Sequence, residues 1–113
     1  MRIESIEGIK RFFRDTTEEE EEFGFGLCCR VDGEYIGPCF YGKPWLQKHE
    51  VNPLDNQFWL INDGERNDVV LFLPLYIIQN LTEEMYSEII KKFYLNLKKA
   101  KVQLKLEDLE NDF

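Results

Sequence analysis

Four side chains in this 113-residue sequence are of the types that bind soft metals or act as nucleophiles: Cys28, Cys29, Cys39 and His49. Structural zinc sites usually pair their ligands two to four residues apart, and no two of these side chains have that spacing. A strand would also point the adjacent Cys28 and Cys29 to opposite faces. We therefore expect free cysteines that pack as small apolar residues, with no metal and no cofactor.

A catalytic cysteine would have to work with His49, the single histidine of the sequence. Its neighbours Lys48 and Glu50 indicate an exposed position, and cysteine and histidine alone carry no family signature. Among the 22 acidic residues no pair stands out, because paired carboxylates need a cleft that separates their pKa values. The sequence predicts no catalytic residue, so an enzyme is the less favoured class.

The composition is that of one small acidic globular domain, residues 1–113. Hydrophobic residues make up 43% and the formal net charge is −8, while the length is close to that of an ordinary single domain. No apolar run approaches the roughly 20 residues that span a bilayer. The first residues are charged where a secretory leader would be apolar. We expect neither a membrane protein nor a multidomain enzyme, and the odd number of cysteines favours the cytoplasm.

The charges are distributed unevenly along the chain. Residues 1–81 hold 8 basic and 15 acidic side chains, residues 82–106 hold 6 basic and 3 acidic ones, and the charged residues of 107–113 are 4 acidic ones. We expect an acidic body, one basic segment and a frayed acidic tail over 107–113. Negative charge repels phosphate backbones and attracts basic surfaces, which predicts a basic protein partner and no direct binding to nucleic acid or membrane.

The first half of the chain predicts a helix followed by a hairpin. Apolar residues recur at helical spacing between residues 4 and 14, behind Ser5 as a good N-cap. Residues 15–22 are an acidic connection with five consecutive glutamates. Large and small side chains then alternate over residues 23–31, and Asp32-Gly33 is a strong hairpin signal, so residues 34–41 are predicted to be the return strand.

The second half predicts two more strands and a long helix. Residues 42–57 are rich in turn formers and are expected to be a loop. Residues 58–61 and 69–73 are apolar enough for strands, and the second is predicted to be central and buried on both faces. Behind Asn80 or Thr82, apolar residues recur every four positions and predict the last helix.

Residues 102–106 allow two interpretations. Val102, Leu104 and Leu106 alternate with polar residues, which is typical of a last strand, whereas the alternative is that the preceding helix continues. The order of the elements predicts an α+β fold in a single small domain. An N-terminal helix and a longer C-terminal helix would pack on an antiparallel sheet of about four to five strands.

Aromatic and acidic side chains make up the predicted partner-binding surface. Tyr41, Trp45 and Trp59 fall in or beside loops and strand ends, and aromatic residues often anchor interfaces. The turn formers around Trp45 make its full burial difficult. The acidic run would present negative charge to a basic groove. It consists of Glu18, Glu19, Glu20, Glu21 and Glu22.

The leading hypothesis is a non-enzymatic acidic domain that binds another protein, as an immunity or inhibitor protein that neutralises a basic toxin or a nucleic-acid enzyme would. The analogy with such proteins is one of size and charge alone. The first alternative is a small enzyme or ligand-binding domain with a pocket near residues 39–59. A pocket that gathers Cys39, Tyr41, His49 and a carboxylate would favour it. The second alternative is a structural subunit of a homo-oligomer.

Overall fold

The computed structural model describes residues 2–17, 23–33, 35–64 and 66–111. The predicted acidic run Glu18–Glu22 therefore lies outside the described residues. The described residues form strands and helices with the following bounds: β1 Arg2–Ile3, α1 Ile6–Phe12, β2 Phe23–Arg30, β3 Tyr35–Gly42, α2 Lys43–Lys48, β4 Phe58–Asn62, β5 Asn67–Phe72, α3 Leu75–Gln79 and α4 Glu83–Asn111.

The five strands form one sheet in the order β1-β3-β2-β5-β4. β2 pairs antiparallel with β3 and β5, and β4 pairs antiparallel with β5. β1 pairs in parallel with β3, so the sheet is mixed and the prediction of a purely antiparallel sheet is wrong at this edge. The parallel pair is possible because α1 and β2 intervene between the two strands and return the chain to its original direction. The α+β class and the two predicted helices are confirmed.

The side chains of β2 make the two faces of the sheet different. Phe25, Leu27 and Cys29 are buried on one face, in the main core with residues of α1, α3 and α4. The alternate residues Gly26 and Cys28 lie on the opposite face, as the period of two predicts, and have small side chains or none. At Gly26 a Cβ atom would lie 2.1 Å from a backbone oxygen of β5, so only glycine allows β5 to approach this closely.

Helix α2 covers part of this second face. Leu46 packs with Val51 and with side chains of β4 and β5 in a smaller apolar cluster. Strand β5 lies between this cluster and the main core, and every residue from Asp68 to Phe72 is buried. The prediction that this strand is central and buried on both faces is confirmed.

The structure differs from the expected loop 42–57, decides between the two alternatives for residues 102–106, and continues the helix into the expected tail. Helix α2 lies within the expected loop 42–57, and Pro44 stands in its first turn, where a proline costs no hydrogen bond. Residues 102–106 belong to α4, so the helical alternative is correct and the strand interpretation is not. Residues 107–111, predicted to be part of a frayed tail, are the end of α4, and residues 112–113 lie outside the described part of the chain.

Helix α4 packs against the main core as far as Leu104 and projects at its C-terminal end. The Met85 N–H donates to Thr82 Oγ1 at 3.2 Å, which is one of the two predicted caps. Ala100 is the last buried residue, and from Lys101 to Glu110 every residue except the half-buried Leu104 is exposed. A helix of 29 residues is about 43 Å long, and the longest dimension of the molecule is 49 Å.

Candidate functional site

Three neighbouring strands bring two thiols, a phenol and a carboxylate together on the second face of the sheet. In the ladder between β2 and β3, Cys28 and Cys39 each lie opposite a glycine. The two cysteines are therefore diagonal neighbours on one face, and the missing glycine side chains leave room for both sulfur atoms. Tyr41 follows on the same face of β3, and β5 contributes Asp68.

Asp68 is the buried charge of this site, with 6% of its surface exposed. Arg66 Nε lies 3.1 Å from Asp68 Oδ2, and the Tyr41 hydroxyl donates to the same oxygen at 3.3 Å. A buried carboxylate needs such partners, because removal from water is otherwise costly. Burial, and after it the nearby Cys39, raises the pKa of Tyr41 well above its ordinary value, so its hydroxyl remains a donor.

Hydrogen bonding from the Cys39 thiol lowers the pKa of Cys28, because a donated proton stabilises its thiolate. Burial raises the pKa of Cys39, and donation to Cys28 raises it further. Cys29 lies on the opposite face in the main core, where burial raises its pKa. Among the three thiols, Cys28 is the one whose surroundings favour the nucleophilic form.

These side chains line an open groove of about 400 Å³, with Arg30 and Arg66 also in its lining. The groove gathers Cys39, Tyr41 and the Asp68 carboxylate, which are three of the four features named above for a ligand-binding pocket. The fourth feature, His49, is not part of the lining: its ring packs 4.3 Å from the ring of Trp45, which stands between it and Tyr41. A small polar ligand or a thiol reagent can enter the groove, but a cysteine–histidine pair is not formed.

The predicted aromatic residues lie together on this face. Tyr41 and Trp45 stack with their ring centroids 4.2 Å apart, and Trp59 of β4 packs against the same small apolar cluster. All three side chains are half-buried, so they join α2 to the sheet as well as facing solvent. The Trp59 Nε1 is buried and has no hydrogen-bond partner among the described residues. The other predicted binding residues, Glu18–Glu22, lie outside the described ranges.

A second surface, which the sequence analysis missed, lies on the solvent side of α4. Four large apolar residues there are 53–58% exposed: Leu95, Val102, Leu106 and Leu109. We call this set the outer stripe. Its members are separated by seven, four and three residues, which aligns them on the side of the helix opposite to the buried Phe93 and Leu97. The spacing was visible in the sequence, but the strand interpretation of residues 102–106 concealed it.

Lysine side chains border the outer stripe. Between residues 91 and 105 the helix has six lysines and no acidic residue. The charges of the described part of residues 2–81 cancel. Without Glu18–Glu22, Glu34 and Glu65, this part of the chain carries eight basic and eight acidic side chains. The negative excess of residues 1–81 therefore belongs to glutamates beyond the described ranges. Residues 91–105 are the strongly basic segment of the part that is described, and acidic residues flank it at both ends of α4.

No group of three or more Cys, His, Asp or Glu side chains in the described part of the chain is arranged to hold a metal ion. None of the described helices combines the length and the apolar character needed to cross a membrane. Comparison with known proteins gave no match to a family model, to a curated protein or to a solved structure. Function has to be inferred from the groove and the outer stripe.

Proposed function

We propose that this protein is a non-enzymatic domain that binds another protein, and that the outer stripe of α4 is its binding surface. The observation that carries the proposal is the alignment of four exposed apolar side chains on a helix whose opposite side is already packed in the core. Single exposed apolar residues are ordinary on protein surfaces, but an aligned set is typical of an interaction site.

The spacing of the outer stripe favours a helical partner. Leu95, Val102 and Leu109 are seven residues apart, and Leu106 lies four residues after Val102. This is the alternation of three and four by which the apolar side chains of two helices interlock. Because α4 projects beyond the body after Leu104, which packs against the main core, a partner helix can lie along the C-terminal part of the stripe without meeting the sheet.

The lysines favour an acidic partner helix. Lys98 and Lys105 flank the outer stripe on one side, and Lys99 lies within its line between Leu95 and Val102. Acidic side chains at the flanking positions of a partner would pair with these lysines and would fix the register of the two helices. We therefore infer that the partner presents an amphipathic helix with an acidic border.

The same lysines oppose pairing with a second copy of the chain. In an antiparallel pair that sets Leu95 against Leu106 of the second copy, Lys98 would approach Lys105 of that copy. In a parallel pair, Lys99 would lie against its own equivalent inside the apolar seam. Like charges at such positions are destabilising, so we propose a heterologous partner in place of the homo-oligomer that the sequence left open.

A more specific proposal is that this protein-binding domain is an immunity or inhibitor protein. It rests on the net charge of −8 and on Glu18–Glu22. In that case the basic surface of a toxin or nucleic-acid enzyme would face the glutamates, and an acidic helix of the same target would lie on the outer stripe. We also propose a cytoplasmic location, because Cys28, Cys29 and Cys39 are free thiols and a reducing compartment maintains that state.

The experiment that tests the proposal places a photo-activated cross-linking amino acid at Val102 in the full chain. In an extract of the native host we expect a cross-linked partner from this position and none from Leu54, which is 83% exposed and lies far from α4 in the sequence. The partner is then purified and its affinity measured. The double variant Leu95→Glu plus Leu106→Glu should bind at least about tenfold more weakly, since each lost apolar contact is worth about 1.5–3 kcal/mol.

The matched control is Leu54→Glu, which makes the same chemical change at another exposed leucine and should leave the affinity unchanged. Binding of the unmodified protein should also weaken as salt is added, because the lysines are solvent-exposed. Equal cross-linking from Val102 and Leu54 would contradict the proposal. Cross-links that join two copies of the chain, together with a dimeric mass in solution, would replace the heterologous partner by a second copy.

The groove supports a second candidate function, a small ligand-binding domain. The observation in its favour is that Cys39, Tyr41 and the Asp68 carboxylate line one concavity. A mixture of common metabolites would be titrated into isotope-labelled protein and followed by NMR. Saturable shifts of the backbone amides around Cys28 and Tyr41, with none at the outer stripe, would support this function; absence of shifts at those amides would overturn it.

A further inference from the structure

We propose that Cys28 and Cys39 form a redox-active dithiol in the groove, in which Cys28 attacks a low-molecular-weight disulfide and Cys39 completes the exchange. This site is independent of the proposed binding to a partner helix. Four features of the described residues support the proposal: the placement of the two cysteines, their access to solvent, their charged neighbours and the different position of the third cysteine.

The placement of the sulfurs follows from the pairing of β2 with β3. Cys28 lies opposite Gly37 and Cys39 lies opposite Gly26, so the cysteines are diagonal neighbours on one face of an antiparallel ladder. No side chain stands between the two cysteines on this face, because the residue opposite each of them is a glycine. Diagonal neighbours in a regular ladder are about 7–8 Å apart, and a disulfide joins Cα atoms up to about 6.8 Å apart, so the exchange requires β2 and β3 to shift locally by about 1 Å.

Access to the pair differs from access to the third cysteine. Cys28 and Cys39 are half-buried and line the open groove, whereas Cys29 is 1% exposed and lies in the main core. A thiol reagent can therefore reach the first two sulfurs in the folded protein and cannot reach the third. The groove volume of about 400 Å³ is sufficient for a small peptide thiol.

The charged groups that face Cys28 come from three elements. Cys39 and Tyr41 on β3 supply hydrogen-bonding or neutral neighbours, Asp68 on β5 supplies a negative charge, and Arg66 supplies a positive charge paired with that carboxylate. Arg30 on β2 also lines the groove. Hydrogen bonding from Cys39, with a smaller contribution from Arg66, outweighs burial and the charge of Asp68, so the pKa of Cys28 lies below its ordinary value.

The exchange balances in two steps. The Cys28 thiolate attacks one sulfur of the oxidant, for example glutathione disulfide; a new S–S bond forms, the old one breaks, and one glutathione leaves as the thiolate. The Cys39 sulfur then attacks Cys28, its proton passes to solvent or to the leaving thiolate, and the second glutathione departs. The two protein thiols are oxidised to one disulfide, and the oxidant is reduced to two thiols.

The test begins with the unmodified protein, so it does not depend on a variant that folds. Reduced protein is exposed to iodoacetamide and each cysteine is followed by peptide mass spectrometry. We expect Cys28 to react at least about tenfold faster than Cys29, since thiolate fraction and exposure both favour it. All three cysteines should react alike in denaturant. Equal rates for Cys28 and Cys29 in the folded protein would overturn the proposal.

The second part uses buffers that contain reduced and oxidised glutathione. The unmodified protein should lose two hydrogen atoms in mass and yield a Cys28–Cys39 disulfide, and Cys39→Ser should instead accumulate a glutathione adduct on Cys28. Cys29→Ser is the matched control and should behave as the unmodified protein. A glutathione adduct that persists on Cys28 while Cys39 is present would overturn the dithiol.

The pH dependence separates a positioning role of Cys39 from a purely structural one. The midpoint of the Cys28 alkylation rate against pH should rise in Cys39→Ala, which lacks a donor. It should rise less in Cys39→Ser, whose hydroxyl can still donate. Equal midpoints in the three proteins would exclude the thiol–thiolate hydrogen bond as the source of the reactivity.

Discussion

Tyr86 ties the beginning of the chain to helix α4 through one hydrogen bond. Its hydroxyl donates to the Glu4 backbone oxygen at 2.5 Å, across 82 positions of sequence. Burial raises the pKa of Tyr86 to about 12, and the charge of Glu4 adds to the effect. The folded state therefore stabilises the neutral phenol. Removal of the hydroxyl, or its ionisation at high pH, should lower the stability of the protein.

Tyr86→Phe should lower the free energy of unfolding by about 1 kcal/mol at pH 7, the usual net value of such a bond. In the unmodified protein this contribution is complete below pH 10, where the phenol of the unfolded chain ionises, and is lost as the pH rises towards the folded-state pKa of about 12. Urea unfolding at several pH values should show a shallower loss of stability between pH 10 and 12 in the variant.

Tyr94→Phe is the control for this prediction, because Tyr94 lies on the same helix and is 44% exposed. It should leave both the stability at pH 7 and its decline at high pH unchanged. Similar effects of the two substitutions would show that the Tyr86 hydroxyl is not the source.

The proximity of Cys28 and Cys39 could have been predicted from the sequence, whereas the position of Asp68 could not. A two-residue turn at Asp32-Gly33 sets residue 31 opposite residue 34 and hence Cys28 opposite Gly37, which is the register observed. Asp68 reaches the thiols by the pairing of β2 with β5. That pairing joins residues about 40 positions apart, and no local signal of composition or spacing encodes it.

At the scale of elements, α4 shows why residues 102–106 suggested a strand. Val102 and Leu106 belong to the outer stripe, while Leu104 packs against the main core. A helix that is apolar on two opposite sides places apolar residues at every second position over a short stretch, which imitates the alternation of a strand. The helix α3, with five residues, and the strand β1, with two, are too short for any period to reveal them.

The two sides of α4 should respond differently to truncation of a side chain. Phe93 is fully buried and its ring packs 4.8 Å from that of Phe58, so Phe93→Ala should cost about 3–5 kcal/mol through the cavity it leaves. Leu95→Ala removes a side chain that is 53% exposed and should change stability by less than about 0.5 kcal/mol. Urea unfolding of the two variants measures the difference, and comparable losses would contradict the assignment of the outer stripe as free surface.

At the scale of the molecule, the projecting end of α4 should be dispensable for folding. Removal of residues 105–113 deletes Leu106 and Leu109 of the outer stripe, and the described residues of that segment make no buried contact. The shortened chain should unfold within about 1 kcal/mol of the full one in urea. Its affinity for the partner identified through Val102 should fall at least about tenfold, because two apolar contacts are lost. A shortened chain that binds as the full one would restrict the interface to the first half of α4.

The two faces of the sheet have different neighbours, so two ligands can bind to the protein at separate places. The thiol groove opens on the face that α2 partly covers, while the outer stripe lies beyond the other face, on the far side of a helix about 10 Å thick. Two occupants of these places cannot touch, so a helix and a small oxidant can be held simultaneously without competing. Any influence of one on the other would have to pass through the sheet, since β2, β3 and β5 carry the groove on one face and residues of the main core on the other.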